Sequence, residues 1–568
     1  MEATQETITP INRFWRLLKP DRYDIRNVYI YSIFKGLVNL SLPLGIQAII
    51  NLIQGGQIST SWVVLVIFVV LGVAITGVLQ IFQLRITENL QRKIFTRAAF
   101  EFAFRLPRIK MEALYKHYAP ELMNRFFDTI SVQKGLSKIL IDFSTAIIQV
   151  IFGLLLLSFY HPFFIAFSLI LVILVYAIFR FTAKRGLDTS LVESKYKYKV
   201  AHWLEELART SLTFKLAGET NFHLHRTDKD VSGYLEAREN HFQVLVRQYS
   251  LLVLVKVLVA TGLLAIGGIL VMQQLMNIGQ FVAAEIIILL VIGSVEKLIL
   301  SLETIYDVLT SLEKIGQVTD LELENGHGLN MIDQCGTAGM CVDLHQVDFT
   351  YPGNNFKALN KVNLSIQDGE KWAITGFNHS GKSTLLHVLA GLFDVQEGTI
   401  SYNGLPKDNL ELITLRSVIG DLLSEEQLFD GTVLDNIAMG RVGATFDNVK
   451  WAVHELGLDG FIRSLPQGYN TYIDPLGSKL PDSVIQKLLI ARSIADRPKL
   501  LLLEDPFEHI DEKEKREIID FLTSEKNGWT MVAVSSDPYL ISRTDKIAVM
   551  EKGRIIQVKE SNQTENTN

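Results

Sequence analysis

Apolar residues are concentrated in the first half of the chain, where they form six long runs separated by polar segments. Each run has about 20 residues or more, which is the length that a helix needs to cross the hydrocarbon core of a bilayer. The pattern therefore predicts an all-α transmembrane domain of six helices within residues 1–310. The predicted helices lie at about 27–53, 62–84, 135–159, 161–182, 249–272 and 281–301.

Basic residues fall in alternate connections between these runs. The N-terminal stretch and the long loops after the second and fourth runs are rich in lysine and arginine, whereas residues 51–61, 160–161 and 273–280 contain neither. Loops that carry positive charge stay in the cytoplasm. We therefore expect a multi-pass protein of the plasma (inner) membrane with both termini in the cytoplasm.

Three charged residues, Asp142, Lys256 and Glu285, lie inside the apolar runs. Ionisable residues at such positions mark transport pathways in some membrane proteins. In others they lie on a helix extension beyond the lipid, or their charged end reaches the interface. We favour the second interpretation, and the sequence leaves the roles of these three residues open.

The second half of the chain has a different pattern, in which short strand-like runs alternate with helix-like runs. This alternation is typical of an α/β domain, and we place it at residues 341–558. Residues 311–340 form a predicted linker, and the polar residues 559–568 form a predicted disordered tail. The chain has 55 Lys and Arg against 61 Asp and Glu, which gives no sign of a nucleic-acid partner.

The sharpest motif lies between a strand-like run, Lys371–Thr375, and a helix-like run that begins at Leu385. This context is the one that a phosphate-binding loop requires. Its glycines let the backbone N–H groups point at phosphate, its lysine reaches the β- and γ-phosphates, and a hydroxyl can bind Mg²⁺. The predicted nucleotide-binding residues are Gly376, Phe377, Asn378, His379, Ser380, Gly381, Lys382, Ser383 and Thr384.

A membrane half followed by a phosphate-loop half resembles the ABC (ATP-binding cassette) exporters in their half-transporter arrangement. The membrane half is most similar to exporters of type I protein and toxin secretion, through Ser41–Gln47 and Ile278–Gln280. Segments around 112–121 and 206–219 resemble the family's coupling helices. The resemblance implies a six-helix transmembrane domain followed by an α/β P-loop nucleotide-binding domain, with ATP and Mg²⁺ as cofactors.

The resemblance also assigns roles to residues outside the phosphate loop. Tyr351 matches the aromatic residue that stacks on adenine, although a tyrosine at a strand end is also typical of a core residue. Ser383 and Glu504 match the positions that hold Mg²⁺. The signature, which contacts the nucleotide of a partner domain, aligns with Leu480, Pro481, Asp482, Ser483 and Val484.

Several of these positions depart from the family pattern. Ser424 replaces the glutamine that contacts Mg²⁺ and the attacking water, Asp505 replaces the glutamate base, and Ser536 replaces the histidine that senses the γ-phosphate. In the signature, Pro481 removes an N–H group and Asp482 brings a carboxylate towards a triphosphate. Two like charges about 4 Å apart cost about 4 kcal/mol at an effective dielectric of 20. The alternative is that the signature has drifted because it is no longer used.

These features lead to two functional hypotheses. In the first, the chain is the catalytically impaired half of an ABC exporter dimer, in which a heterodimer with a second half-transporter is favoured over a homodimer. In the second, it is a nucleotide-binding pseudo-ATPase with a regulatory or scaffolding role and no pumping. Under both, hydrolysis by the chain alone is very weak, the lipid bilayer surrounds the first half, and the transported substrate cannot be named from the sequence.

Overall fold

The computed structural model describes residues 9–54, 60–334, 336, 339–424, 426–477 and 479–561. These residues form two compact units. The helical unit contains the chain up to Pro107 and Tyr118–Asp320, and the α/β unit contains Arg108–His117 and the chain from Leu321 on. The short segment Arg108–His117 therefore belongs to the α/β unit, although it lies between helices of the other unit in sequence.

The helical unit consists of long helices connected by short turns. Helix bounds from the N-terminus to residue 319, including α5 of the α/β unit, are α1 Pro10–Leu18, α2 Arg22–Asn39, α3 Ser41–Gln54, α4 Thr60–Arg105, α5 Met111–Leu114, α6 Ala119–Asn124, α7 Asp128–Lys138, α8 Ser144–Ser158, α9 Pro162–Arg209, α10 Ser211–Leu216, α11 Phe222–Gly262, α12 Gly268–Met272 and α13 Ile278–Thr319. Two π-helical segments, Ile139–Phe143 and Leu263–Gly267, connect α7 to α8 and α11 to α12.

Six helical segments among the described residues are long and apolar enough to cross a membrane, as the sequence predicts. Their bounds differ from the apolar runs. The first run is divided at Leu40 between α2 and α3, and α9 alone has 48 residues. At a rise of 1.5 Å per residue α9 is about 72 Å long, more than twice the thickness of a hydrocarbon core. Helix α13 ends at Thr319, so residues 311–319 of the predicted linker are helical.

The core of the helical unit is formed by apolar side chains of α8, α9, α11 and α13. Leu157, Phe164, Leu252 and Ile287 have no exposed surface. Of the three charged residues inside the apolar runs, Lys256 forms a 2.6 Å ion pair with Glu296 of α13. Asp142 lies in the π-helical segment before α8, and Glu285 is half-buried on α13.

The α/β unit contains twelve strands and eight further helices among its described residues. The strands are β1 Val342–Phe349, β2 Leu359–Ile366, β3 Lys371–Gly376, β4 Glu397–Tyr402, β5 Leu405–Pro406, β6 Ile419–Leu422, β7 Gly431–Thr432, β8 Tyr472–Ile473, β9 Leu500–Glu504, β10 Thr530–Val534, β11 Lys546–Glu551 and β12 Arg554–Glu560. The helices are α14 Lys382–Leu389, α15 Leu412–Ser417, α16 Val433–Ala438, α17 Phe446–Glu455, α18 Asp459–Ser464, α19 Asp482–Ile494, α20 Glu512–Leu522 and α21 Pro538–Ser542.

The main sheet of this unit has the strand order β12-β11-β3-β10-β9-β6. The strands from β11 to β6 are parallel, and only β12 is antiparallel to its neighbour. The carboxyl ends of parallel strands meet at one edge of a sheet, which is where open α/β sheets bind ligands. Strand β12 continues to Glu560, so the tail predicted to be disordered from residue 559 begins with two paired residues, and residues 562–568 lie outside the described part.

Candidate nucleotide-binding site

The phosphate loop connects β3 to α14, as the sequence predicts. Gly376 and Gly381 have φ angles of 144° and 100°, which side chains rarely adopt. A Cβ at Gly376 would lie 2.2 Å from the carbonyl oxygen of Met550, and one at Gly381 would lie 2.6 Å from that of Ala358. Both positions therefore require glycine for conformation and for space, because backbone atoms cannot move aside cheaply.

Lys382 is the first residue of α14 and extends over the loop that precedes it. Its Nζ donates to the carbonyl oxygens of Gly376 and Phe377, at 3.0 Å each. Ser383 follows it on the first turn of the helix, where the backbone N–H groups face the loop. The arrangement combines a cation, free helical N–H groups and a hydroxyl, which are the groups that hold phosphate and Mg²⁺.

Tyr351 lies beside this loop in a cluster of aromatic side chains. Its hydroxyl shares a 3.1 Å hydrogen bond with Thr384 Oγ1, and its ring packs edge-on against Phe349 and Phe393. Tyr115 stacks on Tyr351 with 5.1 Å between ring centroids and 24° between planes. Both interpretations of Tyr351 therefore stay open, since it packs against the core and also lies next to the phosphate loop.

Tyr115 lies next to the candidate nucleotide-binding site, and the sequence analysis did not predict this. It belongs to the segment Arg108–His117, in which Glu112 Oε1 also accepts a 2.6 Å hydrogen bond from the backbone N–H of Asp394. The coupling-helix segment predicted around 112–121 overlaps this segment. The sequence gave no signal that Tyr115 and Tyr351 pair, because the two residues are 236 positions apart.

Ser424 and Glu504 lie together at the carboxyl edge of the sheet. Glu504 is the last residue of β9, and Ser424 follows the neighbouring parallel strand β6. The backbone N–H of Ser424 donates to Glu504 Oε2 at 3.2 Å. Glu504 and Ser383 supply hard oxygen donors, the kind of ligand that Mg²⁺ prefers, and among the described residues no group of three or more His, Cys, Asp or Glu forms a separate metal site.

Asp505 follows Glu504 and turns the chain away from the sheet with a φ of 39°, while its backbone N–H donates to Val534 O at 2.9 Å. Burial raises the pKa of the Asp505 carboxyl, and the carboxylates of Glu508 and Glu504 raise it further, while Lys382 lowers it. Asp505 therefore lies within electrostatic range of the phosphate-loop lysine.

Ser536 is exposed in the turn after β10, directly before Asp537, whose carboxylate caps α21. Since β10 lies between β3 and β9, Ser536 follows the strand that separates the phosphate loop from Glu504. The structure thus places Ser424, Glu504, Asp505 and Ser536 after adjacent strands, at the same edge as the phosphate loop.

The signature segment forms the start of α19. Pro481 is the N-cap residue and Asp482 the first helical residue, and both are exposed. Leu480 and Val484 pack against the core of the α/β unit, and Ser483 is half-buried. A carboxylate at the first turn is favoured by the helix dipole, so Asp482 also suits the local structure.

A pair of carboxyl groups, Asp421 and Glu426, lies on either side of Ser424 and was not predicted. The two share a hydrogen bond, and Glu426 Oε1 accepts another from the backbone N–H of Leu423 at 2.9 Å. Burial raises the pKa of Glu426 to about 8, and the charge of Asp421 adds to the rise. The pair therefore keeps a proton at neutral pH, and nothing in the local sequence reveals the burial that causes this.

We expect the stability of the α/β unit to fall as the pH rises from about 4.5 to 8. Unfolding exposes Glu426, whose pKa then returns to about 4.3, so the folded unit holds the extra proton throughout this window. Glu426→Gln mimics the protonated form, and it should flatten the dependence, whose slope is at most about 1.4 kcal/mol per pH unit. Denaturant unfolding of both proteins from pH 5 to 9 tests this; equal slopes would contradict it.

Comparisons with known proteins agree with this geometry. A family model described as ABC transporter transmembrane region matches residues 26–295, and one described as ABC transporter matches residues 359–508. The chain is 28% identical over 341 residues to the cyclolysin secretion/processing ATP-binding protein CyaB of Bordetella pertussis, which covers 58% of this chain and 46% of that protein. It is 33% identical over 218 residues to the ATP-dependent lipid A-core flippase of Hahella chejuensis, which covers 38% of this chain and 37% of that protein.

The chain thus matches less than half the length of these relatives. A solved structure of a bacterial Atm1-family ABC exporter with ATP bound has the same fold, with a TM-score of 0.80, 18% identity and 96% of both chains covered. The two family models, the six apolar helices and the phosphate loop all agree. The chain is an integral membrane protein that belongs to the ABC transporters.

Proposed function

We propose that the chain is a subunit of an ABC exporter that binds MgATP at its phosphate loop and acts as the catalytically impaired half of a dimer. The observation that carries the proposal is the contrast between the phosphate loop and the groups around it. The loop keeps its glycines, Lys382 and Ser383, whereas the neighbouring strand ends present Ser424, Asp505 and Ser536.

Each of these three side chains is too short or too weak for the role that its position has in the family. An aspartate places its carboxylate one methylene further from the attacking water than a glutamate does. A general base works only within about 3 Å of the proton that it removes, so this difference costs about 100-fold in rate. Ser424 lacks the reach of an amide, and Ser536 cannot give the γ-phosphate a charge-assisted hydrogen bond.

The start of α19 supports a heterodimer over a homodimer. In a homodimer both nucleotides would face Pro481 and Asp482, and both carboxylates would oppose a triphosphate. A partner with intact catalytic groups and an intact signature avoids one of these contacts. We therefore propose a second ABC half-transporter as the partner, with both chains in the plasma (inner) membrane and the termini in the cytoplasm, where ATP is available.

The same exposed residues favour a second candidate function. Pro481 and Asp482 alter the signature that the partner's nucleotide would contact, and Asp505 and Ser536 alter the catalytic groups of the chain's own site. Each of the two sites in a heterodimer would therefore lack at least one group of the family pattern. A nucleotide-binding pseudo-ATPase that scaffolds or regulates other membrane proteins fits this pattern. Purification from native membranes distinguishes the two, because the first predicts a stoichiometric ABC half-transporter and the second predicts other partners.

We expect Lys382→Ala to weaken MgATP binding by about 10- to 150-fold, because a hydrogen bond from a charged group contributes about 1.5–3 kcal/mol. The matched control is Lys450→Ala, which removes an exposed lysine of α17. Binding of a fluorescent ATP analogue to the purified chain in nanodiscs measures both. Equal affinities for the wild type and the Lys382 variant would remove nucleotide binding at this loop from the proposal.

A further inference from the structure

A cavity of about 710 Å³ opens in the helical unit between α9 and α13, beside Thr9 and Pro10 at the start of α1. Its walls carry four cationic side chains, Arg125, Lys195, Lys199 and Lys314, against the carboxylates of Glu121 and Glu313. The cavity lies outside the nucleotide-binding unit and is separate from the site described above.

The two carboxylates in the wall are already paired. Glu313 accepts a hydrogen bond from Arg13, and Glu121 accepts one from Arg125 Nη2 at 3.2 Å. Lys199 is likewise paired, through a 2.6 Å contact with the buried Asp230. These pairs account for both acidic groups of the wall, and they leave Lys195 and Lys314 without an ion pair among the described residues.

Lys314 is the clearest of these unmatched cations. It is 7% exposed, and within the described residues its Nζ forms neither an ion pair nor a hydrogen bond. Its ammonium lies 5.4 Å from the centre of the Tyr198 ring, which the Arg125 guanidinium also faces at 4.8 Å. The carboxylates of Asp128 and Glu313 attract this ammonium, but each already accepts a hydrogen bond from another side chain, and the charges of Arg125 and Lys197 oppose it. A buried ammonium with no ion pair of its own is costly, and a ring face offsets only part of that cost.

Two further cations add hydrogen-bond donors or positive charge to this wall, although Nη2 of Arg125 is paired with Glu121. Arg125 is 9% exposed, and its Nε and Nη1 are buried without a hydrogen-bond partner among the described residues. Lys195 lies on the same face of α9 as Lys199 and forms no ion pair in the described part of the chain. Buried polar groups in native proteins are usually satisfied, so unsatisfied ones beside a cavity indicate a missing ligand.

We propose that this cavity binds a small water-soluble anion that carries two or more carboxylate or phosphate groups. Lys314 and Lys195 bind its charges, beside the guanidinium of Arg125 in the same wall. Along the continuous helix α9, Lys195 lies 13 residues beyond the end of the apolar run 161–182, which is about 20 Å of helix. That distance favours a dissolved anion over a lipid headgroup. The proposal does not rest on the proposed nucleotide function.

The test is a calorimetric titration of citrate into the intact protein in phosphatidylcholine nanodiscs. Mg²⁺ and nucleotide are left out, and the Lys382→Ala background weakens anion binding at the phosphate loop. We expect saturable binding that potassium chloride at equal ionic strength does not reproduce. Lys314→Met should lower the affinity at least about tenfold, since it removes a charge-assisted contact. Lys195→Gln, at an exposed position that the fold tolerates, should lower it to a similar extent.

The matched control is Lys215→Gln, which removes an exposed lysine of α10 outside the cavity and should leave binding unchanged. Citrate binding that all three lysine variants share with the parent protein would overturn the proposal. Competition by phosphatidylglycerol in the nanodisc would assign the cavity to a lipid headgroup instead. Citrate binding that appears only after residues 2–8 are deleted would assign the cavity to the chain's own Glu2 and Glu6. That result would also overturn the proposal.

Discussion

Without a partner chain, the wild-type protein is expected to hydrolyse ATP at less than about one turnover per second, below the usual range of enzymes. Five substitutions together should raise this rate by at least about 100-fold. They are Ser424→Gln, Pro481→Ser, Asp482→Gly, Asp505→Glu and Ser536→His. Phosphate release by the purified chain in nanodiscs, at saturating MgATP, measures the rate.

The combined variant should gain far more than the single variants added together. Catalytic groups that act on one transition state are strongly non-additive, because each is useful only when the others are in place. Asp505→Glu alone should therefore stay nearly inactive. It also places a glutamate at a φ of 39°, which aspartate tolerates better, so the folded fraction of each variant has to be checked.

The control for this series is the same five substitutions on the Lys382→Ala background. This variant should show no increase in the rate of ATP hydrolysis over the wild type. Tens of turnovers per second by the wild-type chain alone, dependent on Lys382, would contradict the impaired-site proposal. Asp505 would then act as a competent base. The structure offers one route to that result, since burial and two neighbouring carboxylates already raise the pKa of Asp505 towards the range of a useful base.

The order of the two domains along the chain could be predicted because the two halves have different hydrophobic patterns. Long apolar runs require helices in a bilayer, and the glycines and lysine of the phosphate loop require a strand before and a helix after them. The ends of the helices could not be predicted in the same way. Beyond the apolar runs, α4, α9 and α11 continue with polar residues, and their helical pattern alone does not say where each helix ends.

Residues of the candidate site could be predicted where they lie at the carboxyl end of a strand-like run. Glu504 and Ser536 end up at the edge of the phosphate loop because β9, β10 and β3 are parallel neighbours. Tyr115 and the Asp421–Glu426 pair were missed for a different reason. Their environments depend on packing between distant segments and on burial, and neither leaves a local pattern in the sequence.

Trp529 has the largest fully buried side chain among the described residues, and it lies directly before a strand of the main sheet. It precedes β10, its Nε1–H donates to Leu522 O at 3.0 Å, and its ring packs edge-on against Phe521. Replacing a buried tryptophan with alanine removes apolar contacts and leaves a cavity, which together cost about 3–5 kcal/mol.

Trp529→Ala should therefore speed up hydrogen exchange of the β9 and β10 amides by about 150- to 5000-fold, since 1.36 kcal/mol corresponds to a factor of ten. Exchange measured by mass spectrometry on the intact protein locates the change in the α/β unit. The matched control is Trp451→Ala, which removes a half-buried tryptophan of α17 that also contacts Phe521 and should cost well under half as much. Equal effects of the two variants would show that burial at Trp529 does not anchor the strands that carry the nucleotide site.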